Sequence, residues 1–251
     1  MSEWAPGPAL AAYHAGVMVI GELATQFTDE TWAGPTPCPE WRAADLAAHL
    51  RCVADDYHEY LDDAPVSRLA RLMARSARPE SLARKLARQN AAELAALVDA
   101  TGPEHITAFM AAAREYADRV LPVWELPHHR YSGTVVTVGG MVGAAAAEWH
   151  LHAWDLAAAL GKDYQPAGPE ILLAGWEAGM PHLPLDAGVA VAPCGVAAGG
   201  AGHPAGSAAG VRPGRGGGVG ANRARGGGVE ASGAADGAWR ALLRASGRLA
   251  H

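Results

Sequence analysis

The sequence predicts an all-α fold, an up-and-down four-helix bundle, and three observations carry that reading. Apolar residues recur at helical spacing through about residue 183, prolines and glycines break the chain between these stretches, and the β-branched run Thr134–Val138 is short. The chain has 251 residues, half of them apolar, which is enough for a large domain with a hydrophobic core.

A first helix is expected from about Pro8 to Phe27, with Leu10, Val17, Ile20, Leu23 and Ala24 near one face. Three prolines between Gly34 and Pro39 require an irregular connection. A second helix follows from about Ala43 to Leu61, and Pro65 to Ala77 reads as a short helix or an ordered loop. A third helical region, about Pro79 to Val98, opens with Pro-Glu, a common helix start. Gly102-Pro103 ends it, and a further helix runs from Glu104 to about Val120. His128 to Val138 is strand-like, an extended approach to the helix from about Met141 to Leu160, which stops at Gly161. An amphipathic helix, Glu170 to Ala178, ends near Gly179. Four of these helices are long enough for a bundle, the others being short additions, and bundles build ligand sites from inward side chains of facing helices.

Residues 1–183 therefore form the bundle, 184–233 a low-complexity segment and 234–251 a short C-terminal helix, clearest over Trp239 to Arg248. Fifteen of the 31 glycines fall between Gly195 and Gly233, a stretch without Leu, Ile, Met or any aromatic residue. Such a stretch buries too little apolar surface to offset the entropy of ordering it. It reads either as a flexible linker or as a gene segment translated out of frame.

The bulk numbers exclude several classes of function. The net charge is −6 and the isoelectric point near 6.0, so no basic excess exists to neutralise nucleic-acid phosphates. Arg212, Arg215, Arg223 and Arg225 lack the aromatic companions of a strand-binding segment. No apolar run reaches the roughly 18 residues of a membrane span. The start Met-Ser-Glu-Trp lacks the basic region of a secretory signal, and Cys38, Cys52 and Cys194 show no paired spacing. The expected setting is the cytoplasm, without nucleic acid or membrane, and a homodimer is compatible with it.

The chemistry concentrates on two helices. Asp45, His49 and Cys52 share a face of the second helix at i, i+4, i+7, and Glu148, His152 and Asp155 repeat that spacing on a later one. His150 projects about 200° from Glu148 and belongs to another face. A carboxylate and an imidazole at i, i+4 can reach one metal ion, and a histidine from a facing helix supplies a third ligand. Three protein ligands with an open position describe a catalytic rather than a structural zinc-type site. Asp45 or Asp155 would then accept the second ring N–H of a ligating histidine. The competing reading makes His49 and His152 satisfied bundle histidines and Glu148 a solvated helix charge, and spacing alone leaves both open.

Other groups carry weaker signals. His128-His129 reads as an exposed loop pair, the acidic run Asp55-Asp56 with Asp62-Asp63 as a solvated face, and Cys52 as packing rather than a nucleophile. Trp41, Trp149, Trp154 and Trp176 read as bundle packing, one of them with a chance of lining a pocket. Gly139-Gly140 lacks any nucleotide-binding pattern.

Two blocks carry more than spacing. Thr36-Pro37-Cys38-Pro39-Glu40-Trp41-Arg42-Ala43-Ala44-Asp45-Leu46-Ala47-Ala48-His49-Leu50 and Glu148-Trp149-His150-Leu151-His152-Ala153-Trp154-Asp155-Leu156-Ala157 resemble the two signatures of the mycothiol-dependent maleylpyruvate isomerase family. The resemblance covers roughly residues 8 to 165 and implies a DinB-like bundle. It implies a divalent metal, usually zinc, held by His49, Glu148 and His152. It further implies mycothiol or a similar low-molecular-weight thiol at the metal, the thiolate serving as nucleophile toward a small electrophilic substrate. Cis–trans isomerisation and S-transfer both follow from such a thiolate, with Asp45 and Asp155 as orienting groups. The alternative is a non-catalytic bundle protein that binds a metal or small molecule. Two departures stand out. Arg42 replaces the Ser or Thr that usually caps the second helix. The isomerases also carry a second, α+β domain that contributes a basic residue, and nothing between Gly188 and Gly233 would build one, so no residue is carried over from it.

Overall fold

The computed structural model describes residues 5–38, 41–62, 90–97, 100–131, 134–181 and 229–249. The expected element at 65–77 and most of the low-complexity segment lie outside these residues, and of the third helical region only 90–97 is described, helical over 90–96.

Helix α1 (Pro6–Ala24) starts on a proline, whose fixed φ suits a first helical turn and whose missing N–H costs nothing there. A one-turn helix α2 (Asp29–Trp32), absent from the sequence reading, forms because Thr28 and Thr31 cap each other's backbone N–H groups. Helix α3 (Ala43–Asp62) has no Ser or Thr cap; instead Asp45 at its third position accepts the Arg42 backbone N–H at 2.9 Å. Helix α4 (Gly102–Val120) begins on the predicted break itself, two residues before Glu104, because Pro103 suits a first turn and the Thr101 N–H donates to Glu104 at 2.7 Å. A single 3-10 turn, Leu121–Val123, follows.

The predicted extended approach is a hairpin. Strand β1 (Pro127–Tyr131) pairs antiparallel with β2 (Thr134–Thr137), with an irregularity between Pro127 and His129. His128 is thereby buried rather than exposed, because a pairing that a β-branched run alone does not reveal turns it inward. Helix α5 (Val138–Ala159) starts three residues earlier than expected, since Thr137 accepts the Gly140 N–H at 3.1 Å. Helices α6 (Pro169–Gly179) and α7 (Val229–Ala245) complete the order, α7 beginning inside the stretch the composition had assigned to low complexity.

Helix α1 packs mainly along α5, and α3 along α4; the pairs join through α1 with α4 and through a thinner seam between α3 and α5. Helix α5 is buried nearly all round, which its Ala- and Gly-rich sequence permits, because α6 covers its remaining side. The core centres on Trp149, Tyr13, Phe109, Leu46, Leu50, Met141 and Leu156. Buried polar side chains cross-link it: Tyr13 donates to the Ala113 carbonyl at 3.0 Å, and His150 Nε2 meets the Ala12 carbonyl at 2.9 Å. His150 thus serves the α1 contact and is turned away from the seam, as its spacing predicted. Helix α7 packs against α6, with Trp239, Leu242 and Leu243 buried.

Candidate metal centre

The thin α3–α5 seam holds the polar residues. His49 comes from α3, and Glu148 and His152 come from successive turns of α5. One donor atom from each lies within 4.8 Å of the other two, and His49 Nε2 is 3.9 Å from Glu148 Oε1. The two imidazoles meet edge to face with centroids 5.1 Å apart, and Trp41 lies 4.8 Å from the His49 ring. His152 is fully buried and His49 nearly so. Both ring nitrogens of His49 and Nε2 of His152 lack a hydrogen-bond partner. Buried polar atoms without partners are costly, and a ligand between Nε2 of His49, Nε2 of His152 and the Glu148 carboxylate would satisfy two of them.

Protonation states agree with that. Burial, then the neighbouring His152 and Arg248, holds His49 well below the ordinary imidazole range. Burial likewise lowers His152. Both rings are neutral and offer lone pairs. Glu148 is pushed up to about 7 by burial, against the opposing charge of Arg248 and a hydrogen bond from Tyr57. The Tyr57 hydroxyl lies 3.5 Å from Glu148 Oε2, leaving Oε1 toward His49. A divalent cation would offset the cost of the buried carboxylate and give partners to Nε2 of His49 and of His152, so these residues fit a metal.

Asp155, fully buried, stands behind His152: its Oδ2 lies 3.0 Å from His152 Nδ1. Arg248 donates through Nε to Asp155 Oδ1 at 2.9 Å, and its Nη2 donates to Oδ2. The ion pair holds Asp155 below the usual carboxylate range despite its burial. An ionised carboxylate at Nδ1 fixes the proton there, which turns the Nε2 lone pair toward His49 and Glu148. Cys38, His152 and Asp155 form a second group of metal-ligating type. Cys38, however, is disulfide-bonded, contrary to its unpaired spacing, and Asp155 is saturated by Arg248 and His152. The first cluster is the one with open donors.

Asp45 is not part of the centre. Its carboxylate accepts the Arg42 backbone N–H and pairs with the Arg42 side chain at 3.1 Å, so it caps α3 and leaves the orienting role to Asp155. Cys52 is half-buried, and burial together with Glu93, Asp56 and Asp55 pushes its thiol up to about 12, which rules out a resting thiolate. Two neighbours of the centre escaped the sequence reading. Tyr57 stands two turns beyond His49 on the same helix, a spacing that could have pointed to it. Arg248 follows Gly247, which adopts φ +75° and closes α7 in a Schellman turn, the Arg248 N–H donating to the Leu243 carbonyl at 2.8 Å. The glycine signals a helix end, but nothing local says where the arginine goes.

Residues 14–157 match the family described as the mycothiol maleylpyruvate isomerase N-terminal domain. The chain belongs to that family. His49, Glu148, His152 and Asp155 all fall within the matched region, and the bundle is the DinB-like fold the motifs implied. Arg248 lies beyond the mycothiol maleylpyruvate isomerase N-terminal domain, so the charge on Asp155 is balanced by a residue from outside it. Neither a curated protein nor a solved structure matches the chain. Among the described residues, no helix is long and apolar enough to cross a membrane.

Proposed function

We propose that this protein is a metal-dependent enzyme in which His49, Glu148 and His152 hold a divalent cation, zinc by donor type, and in which a low-molecular-weight thiol of the mycothiol kind attacks a small electrophile. The observation that carries the proposal is the convergence of unpartnered, buried imidazole nitrogens on one carboxylate, within a mycothiol maleylpyruvate isomerase N-terminal domain. Two histidines and a carboxylate match the three-ligand catalytic pattern, which leaves a position for an exogenous group.

When bound, a divalent cation supplies Lewis acidity that favours a thiol's anionic form beside it. The residues prepare for that. Asp155 and Arg248 cancel each other's charge, and the two imidazoles are neutral, so a divalent cation held there would be offset by one carboxylate alone and would leave room for an anion. Tyr57 holds the outer oxygen of Glu148, and Trp41 walls the His49 side against water. Addition of a thiolate to an activated double bond, rotation and departure would give cis–trans isomerisation; S-transfer would instead need the adduct's neighbouring carbon to take a proton from water, or the electrophile to release its own leaving group.

The experiment is elemental analysis of the purified protein beside His152→Ala, followed by turnover of an electrophile with and without added thiol. Near-stoichiometric metal that the substitution removes, together with thiol-dependent turnover, supports the enzyme. A protein that carries no metal and gains no stability from added zinc refutes it. Metal binding that no thiol or electrophile perturbs supports instead a non-catalytic binding protein.

A further inference from the structure

We propose that Arg248 is a positioning residue that acts on the metal centre through Asp155, so that docking of α7 and metal binding are coupled. This rests on the metal reading above. Within the centre, His49, Glu148, His152 and Asp155 are held by α3 and α5; Arg248 arrives from the C-terminal segment, and its side chain is 5% exposed.

The geometry gives Arg248 a specific task. Its Nε and Nη2 grip the two oxygens of Asp155, a two-pronged contact that fixes the plane of the carboxylate; Nη2 also lies 3.3 Å from His152 Nδ1, which has no lone pair to offer it while its proton is directed at Asp155. Oδ2 of that carboxylate is the atom facing His152 Nδ1 at 3.0 Å. The plane of the carboxylate therefore sets the orientation of the imidazole, and with it the direction of the Nε2 lone pair. With Arg248 in place Asp155 is fully buried, so the guanidinium, not water, satisfies its carboxylate. Without Arg248 the carboxylate is free to rotate, and the His152 ring loses its fixed orientation.

Arg248 reaches Asp155 only while α7 is seated. Trp239, Leu242 and Leu243 are buried, and Gln165 donates to Asp236 at 2.8 Å. The left-handed Gly247 then reverses the chain and aims the next residue inward. An undocked α7 leaves a poorly oriented His152; a docked one completes the second shell of contacts around it. Linkage makes the effect reciprocal: the factor by which docking raises metal affinity is the factor by which metal favours docking.

The test measures zinc affinity of the full-length protein by competition with a chromogenic chelator. Four proteins are compared: wild type, Arg248→Met, Asp155→Asn and the double variant. Arg248→Met is expected to weaken zinc binding about tenfold, the usual effect of losing an orienting partner of a ligand. Because Arg248 acts through Asp155, the double variant binds zinc no more weakly than Asp155→Asn alone. Hydrogen exchange supplies an independent readout: zinc slows exchange in residues 236–249 of the wild type and not in Arg248→Met. If Arg248→Met releases α7 altogether, Arg248→Lys keeps the charge and loses the fork, and a severalfold weakening with α7 still protected supports the proposal. Wild-type affinity in both Arg248 variants overturns it, as does full additivity in the double variant. A wild type that binds no zinc at all overturns the metal reading itself, which separates the two failures.

Discussion

The Nε–H of Arg248 donates to Oδ1 of Asp155 across 2.9 Å, joining residues 93 positions apart inside a site where Asp155 has no exposed surface. A buried ion pair adds little net stability, because desolvating both charges offsets their attraction. Breaking it is another matter, since the surviving charge stays buried alone. Asp155→Asn keeps the shape and strands the guanidinium, and it is expected to cost about 3 kcal/mol of unfolding free energy in urea titrations. A loss within experimental error of zero would mean that Arg248 finds solvent or another partner in the variant.

Asp45 and Asp155 looked equivalent in the sequence, each spaced to orient a histidine, and the structure separates them. Asp45→Ala removes the acceptor for the first orphan N–H of α3 and should destabilise the protein by about 1 kcal/mol. Zinc content should be unchanged. Loss of metal in this variant, with the fold intact by circular dichroism, would return Asp45 to the centre.

The contrast shows what periodicity can and cannot reveal. That His49, Glu148 and His152 come together was legible because helical spacing fixes which side chains share a face, and a bundle turns those faces toward each other. His150 was rightly separated from them by the same geometry. Asp45 was misjudged because a carboxylate at the third position of a helix is claimed by the local backbone N–H before any tertiary partner competes. His128 was misjudged because its burial depends on a strand pairing, which a run of β-branched residues suggests without specifying. Arg248 was invisible for a third reason: its contact depends on how a terminal helix docks, and neither composition nor spacing encodes that. The early start of α5 at Val138 needed a cap and close neighbours for its glycines, both set by the folded context.

Gly179 offers a test of the α5–α6 contact. A Cβ placed there would lie 2.2 Å from the Gly140 carbonyl oxygen and 2.6 Å from Ala144 Cβ, so backbone must move to admit it. Gly179→Ala should cost about 2 kcal/mol as overpacking. At Gly237, on α7, a Cβ meets nothing within 4 Å, and Gly237→Ala should stabilise by up to about 1 kcal/mol. Opposite signs for the same substitution in thermal melts would locate the close approach; equal signs would argue that α5 and α6 are farther apart.

The pH dependence of the metal-free protein tests the charge state of the centre. Glu148 is raised from 4.5 to about 7, so between those values the native state keeps a proton that the unfolded chain has released. Stability from this group therefore falls as pH rises through that window, by about 3 kcal/mol in all. His49 and His152 work in the other direction: their lowered values make the native state bind fewer protons, so their contribution grows with pH up to the ordinary imidazole value of 6.5 and is then constant. Glu148→Gln isolates the carboxylate from the two rings. Measured by urea unfolding in chelator, the variant should be close to wild type near pH ~5 and more stable by a few kcal/mol near pH ~8, where its neutral amide avoids the cost of a buried charge. Zinc should reverse the order, because the cation stabilises the wild-type carboxylate and has lost a ligand in the variant. Parallel stability profiles with and without zinc would show that Glu148 is solvated and that the seam between α3 and α5 holds no metal.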